Sequence, residues 1–129
     1  MSAHAQDLAQ AFETGTLDPA AFSHRDHIAV ACVMLRRDDF LEAAAKYGAG
    51  LKSLAARAGV PEKFNATITL AFLSLIAERM RTTDHSDFDD FIARNRDLLA
   101  KGVLEPWYSP ERLGSDLARS VFLMPDGPR

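Results

Sequence analysis

Apolar residues recur three and four positions apart along most of this chain, the spacing of helices with one buried face. The strongest such stretch opens on Phe64 and closes on Met80, and between Ala66 and Ala77 only Thr67, Thr69 and Ser74 are polar. No Gly or Pro interrupts it, so 64–80 is predicted as one helix, apolar on most of its circumference and central to the fold. It falls short of the roughly 18 consecutive apolar residues a membrane span needs. At about 100° per residue, Thr67, Ser74, Glu78 and Arg81 share a narrow strip expected to be the wet side. Asn65, Thr69, Phe72, Ile76 and Arg79 fall on the opposite side, facing other helices, with Arg79 expected to pair with a carboxylate.

The flanking segments follow the same logic. Leu8 and Phe12, four apart, predict a short first helix ended near Gly15, and Asp18-Pro19 opens a brief turn. Ser23 and Asp26 have the spacing of a capping box, starting a helix to about Arg37 with Ile28, Ala31, Cys32 and Leu35 as its inward stripe. Asp39 and Glu42 start the next, which carries Phe40, Ala44, Tyr47, Leu51 and Leu54 at helical spacing and stops at Gly59. Gly48 and Gly50 lie inside it and mark either a close crossing or a break. So short a link to the 64–80 helix implies an antiparallel hairpin.

Beyond Met80, Ser86 or Asp87 caps a helix bearing Phe88, Phe91 and Ile92, with Asn95 near its end. Residues 103–108 read as an ordered crossing loop in which Trp107 is expected to be a buried plug. Ser109-Pro110 starts a last helix whose inward face is expected to be Leu113, Leu117 and Val121. Pro125 to Arg129 is expected to fray. No stretch alternates with period two for long enough to be a strand. The expected fold is all-α, one domain over 1–129, with about six helices packed round the 64–80 helix.

Composition supports a globular reading and narrows the partners. Of the 129 residues, 47% are apolar and 26% charged, enough to build a real core. A net charge of −3 argues against nucleic acid or an anionic membrane surface as the main partner. The single cysteine, Cys32, leaves no intrachain disulfide or multi-cysteine metal site and is expected to be an inert small hydrophobe. The first residues lack the basic start and apolar core of a secretion signal, so the expected location is the cytoplasm.

Candidate chemistry is sparse. GxSxG, P-loop, GxGxxG and HExxH patterns do not occur. His24 and His27, three apart at a helix start, share a face and are both expected to point inward. Imidazoles at this spacing either hydrogen-bond within the fold or bind a ligand or metal. Burial and the helix dipole both disfavour imidazolium, so both rings are expected to be neutral. Asn65 and Thr69, one turn apart, form a second polar pair. Asn65 alternatively caps a helix that starts later, with Thr69 bonding back to its carbonyl.

Three blocks, FSHRDHIAVACVMLRR, FNATITLAFLSLIAERM and YSPERLGSDLARSVFLMPD, resemble a group of small uncharacterised bacterial proteins with the patterns F-x-H-x-x-H-L, Y-H-x-T-I-T and A-R-x-x-F-x-x-P-D. The likeness covers Phe22 to Asp126 and implies no activity. It does imply that His24, His27, Asn65, Thr67 and Thr69 travel together, with the position of Asn65 commonly histidine in that pattern. Asn65 thus stands where a third imidazole would make a metal site attractive, which leaves His24 and His27 as weak metal candidates. The reading that follows is a small-molecule-binding, conceivably enzymatic, domain with a polar pocket between His24/His27 and Asn65/Thr69. A protein-interaction module without a pocket and a metal-binding bundle are the alternatives. Ligand and cofactor identity are not legible.

Overall fold

A computed structural model describes residues 3–127. Helices make up 69% of the chain and no strand occurs among the described residues, which makes the fold all-α. The described residues form seven α-helices: α1 Ala3–Thr14, α2 His24–Arg37, α3 Phe40–Arg57, α4 Ala66–Thr82, α5 Phe88–Arg94, α6 Pro110–Leu113 and α7 Asp116–Ser120. Short 3₁₀ turns at Pro19–Ala21, Pro61–Lys63 and Arg96–Leu99 join them. No helix is long and apolar enough to cross a membrane.

Helix starts follow the caps. The Ser23 hydroxyl accepts from the Asp26 amide while the Asp26 carboxylate accepts from the Ser23 amide, each at 3.1 Å. Asp39, Asp87 and Ser109 likewise accept from the amides three residues on. Gly59, at φ +78°, supplies the left-handed turn that ends α3. Asn65 caps α4, accepting from the Ile68 amide at 2.9 Å, so that helix starts at Ala66 rather than Phe64.

The core lies between α2 and α4, which share the centre. Ile28, Val30, Ala31 and Met34 of α2 and Leu73 and Ile76 of α4 are fully enclosed. Helix α1 packs on α2 and crosses α3 at Gly50, where a Cβ would overlap the Phe12 ring. Gly50 therefore marks a close crossing; a Cβ on Gly48 would meet open space. On the far side, Arg79 forms a fork to Asp97 at 2.9 and 2.7 Å and also donates to Asn95 Oδ1, tying α4 to the 3₁₀ turn Arg96–Leu99.

The C-terminal third departs from the sequence reading. The expected last helix is two, because the chain breaks at Gly114 and restarts on the Ser115 cap. Ala118 is its buried residue, while Leu117 and Val121 are exposed. Trp107 is also exposed, at 41%, and its neighbours Leu104 and Tyr108 fill the core beneath the crossing. Only one of two adjacent loop aromatics can turn inward here, and Tyr108 does, donating to the Leu123 carbonyl at 2.9 Å.

Residues 121–127 do not fray but form a strap over α4. Thr67, expected on the wet strip, is completely buried beneath it, while Ser74, Glu78 and Arg81 are exposed as expected. The Thr67 hydroxyl donates to the Val121 carbonyl at 2.7 Å and accepts from the Leu123 amide at 3.0 Å. Arg112 donates to the Met124 carbonyl, and the Ser109 amide and hydroxyl donate to the Asp126 carboxylate. Pro128 and Arg129, within the segment expected to fray, lie outside the described residues.

Candidate functional site

The Ser23 cap sets His24 and His27 in the first turn of α2, and the Asn65 cap does the same for Thr69 in α4. Because both helices begin at the same end of the bundle, all four side chains line one pocket of about 370 Å³. Helix α3 closes it with Tyr47, Leu51 and Leu54, and Phe22, Phe64, Ile68 and Phe72 complete the apolar wall. Lys63 lines it from the turn before α4.

The two histidines differ. His27 is half-buried, and its ring lies 4.3 Å from that of Phe22. Its Nδ1 is 2.8 Å from the Ser23 carbonyl, which can only accept, so Nδ1 carries the proton. Burial pushes its pKa below the usual histidine value, with His24 acting the same way; the Ser23 bond and Asp26 oppose them. The neutral ring leaves Nε2 as a lone pair without a hydrogen-bond partner among the described residues.

His24 is exposed rather than inward-pointing, because it starts its helix at the pocket rim. Its ring still packs against Phe72, 5.4 Å between centroids, and Nε2 donates to the Leu98 carbonyl at 3.0 Å. On His24 the hydrogen bond thus places a proton on Nε2, whereas on His27 it places one on Nδ1. His24, Ile68 and Phe72 also line a second pocket of about 360 Å³ under residues 99–105, so the stacked pair borders both.

Asn65 is used by the fold: besides capping, its amide donates to the Leu113 carbonyl at 2.7 Å. Thr69 is not. It is buried, its backbone amide donates to the Asn65 carbonyl, and its hydroxyl has no partner among the described residues. The expected back-bond from the Thr69 side chain to that carbonyl is not made.

Tyr47 is the residue that sequence reasoning placed only in an apolar stripe. It is 2% exposed, lines the pocket, and its hydroxyl has no partner among the described residues. Burial raises its pKa, with Cys32 adding to the effect, so it remains a protonated donor. The available signal was a hydroxylated side chain at a position where Leu or Phe would fill the same space. Cys32, by contrast, is buried outside the pocket with its thiol pushed up to about 12 by burial, and is inert as expected.

The wall thus offers the Tyr47 and Thr69 hydroxyls, the His27 lone pair, the His24 ring and an ammonium within mostly apolar surroundings. Among the described residues no group of three or more His, Cys, Asp and Glu is placed to hold a metal ion. The rings of His24 and His27 are 6.3 Å apart, and the Asn65 carbonyl oxygen beside them already accepts from Ile68. No family model, no curated protein and no solved structure matches this chain.

Proposed function

We propose that this chain is a small-molecule-binding domain whose ligand occupies the pocket between the first turns of α2 and α4 and the middle of α3. The observation that carries it is Tyr47, whose ring is buried while its protonated hydroxyl, without a partner among the described residues, opens onto the wall of an apolar pocket. Most polar groups of a packed interior are hydrogen-bonded within the protein, so a hydroxyl on a buried ring that reaches open pocket space is free to donate to a ligand acceptor, or to water in its absence. Thr69 and the His27 Nε2 lone pair give the same wall further unused hydrogen-bonding capacity. At about 370 Å³ the pocket suits a single ring or a short chain, being near the small end of ligand sites, roughly 300–1,000 Å³. Cytoplasmic placement and the lack of a nucleic-acid partner accompany this reading.

The test is a nuclear magnetic resonance screen of small amphipathic compounds. Hits are expected to shift the signals of His27, Thr69 and Tyr47 together and to raise the melting temperature. Hits that instead cluster on the strap would favour the second reading, an interaction module. One observation supports that alternative: Trp107, Leu117, Val121, Phe122 and Met124 are all exposed.

A further inference from the structure

The pocket's charged and polar groups are one-sided. Asp18, Asp26 and Glu62 flank it in sequence, yet no carboxylate of a described residue lines it. Asp18 and Asp26 are occupied in capping, accepting from the Ala20 and Ser23 amides. Among the described residues the one obligate charge on the wall is Lys63, and Lys63 forms no ion pair with any of them. Two long helices add to it: α2, of 14 residues, and α4, of 17, both begin at this wall. Helix N-termini carry partial positive charge and favour anions. Tyr47 is a further, independent pointer: its side chain is buried, yet its hydroxyl has no acceptor among the described residues and opens onto the pocket as a donor for a ligand oxygen.

From this juxtaposition we infer that the ligand is a monocarboxylate with a compact apolar body. Its carboxylate accepts from the Tyr47 and Thr69 hydroxyls and neutralises Lys63, while the body packs against Phe22, Leu54 and Phe72. Among the described residues, a single lysine and no arginine on the wall match one negative charge rather than the two of a phosphate monoester. The inference rests on the pocket reading above and adds the sign and class of the ligand.

Calorimetric titration with three probes that share one body tests it: phenylpropanoate, phenylpropanol and phenylpropylammonium, each followed by resonance shifts at the pocket residues. The carboxylate is expected to bind at least about tenfold more tightly than the alcohol, the margin of a charge-assisted hydrogen bond, and the ammonium most weakly. Lys63→Met, at an exposed turn position that leaves the core intact, is expected to weaken the carboxylate roughly fivefold and leave the alcohol unchanged. Thr69→Val is expected to weaken both. Alcohol and carboxylate binding equally, or the ammonium binding best, overturns the anion assignment while the pocket stands. No probe shifting the pocket resonances overturns the pocket reading and the inference with it.

Discussion

Thr67 and Thr69 lie two residues apart in α4 and are both buried, yet their hydroxyls have opposite fates. Thr67 makes two hydrogen bonds to the strap, whereas Thr69 makes none to any described residue. The two tyrosines divide the same way. Tyr108 donates to the strap, and Tyr47 has a bare hydroxyl on the pocket. On the strap side every such group holds the fold together. On the pocket side the same chemistry is left open, which is what a binding surface requires and a packed core avoids.

The sharpest way to break that contrast is to remove each hydroxyl in turn. Thr67→Val leaves the Val121 carbonyl and Leu123 amide without their partner and is expected to cost about 2–3 kcal/mol in urea unfolding. Thr69→Val is expected to stay within about 0.5 kcal/mol of the parent. Equal losses would mean that Thr69 is as structural as Thr67. The tyrosines repeat the test at smaller scale. Tyr108→Phe is expected to lose about 1 kcal/mol, and Tyr47→Phe next to none, because its hydroxyl bonds no described residue. A clear loss in Tyr47→Phe, measured without ligand, would show that its hydroxyl supports the fold.

The smallest effect is a slope. His27 has its pKa lowered in the fold by burial, so the unfolded chain binds the proton more readily. Its neutral form is fully compatible with the fold above the unfolded value of about 6.5. Stability is then lost as pH falls through that value toward the lower, folded one. His27→Gln is expected to flatten this part of the profile of melting temperature against pH. An unchanged profile would mean that the ring is not held neutral in the pocket.

Legibility in the sequence followed the range of the interactions. Ser23, Asp39 and Ser109 act within one turn, so their caps, and the helices they start, could be read directly. The grouping of His24, His27, Asn65 and Thr69 came from polar residues on the inward faces of two helices and from the resemblance that sets them together; all four line one pocket, with His24 exposed at its rim. Thr67 was misplaced because a helical wheel records angle but not cover, and its cover arrives from 54 residues away. Trp107 and Tyr108 failed for a related reason: in a loop, adjacency does not say which of two aromatics turns inward. Tyr47 was placed on the right face, but a pattern of apolar positions says nothing about whether a hydroxyl at the tip finds a partner.

The strap also sets an order of events in folding. Residues 67 and 123 are 56 positions apart, whereas α3 and α4 are joined by residues 58–65 alone. Closing the longer loop costs more chain entropy before any contact rewards it, so strap docking follows the assembly of the helices. Thr67 should then be nearly uninvolved in the folding transition state. In stopped-flow measurements Thr67→Val is expected to speed unfolding and leave the refolding rate almost unchanged. The strap is in this sense a lock on the finished bundle: it lengthens the lifetime of the native state without hastening its arrival.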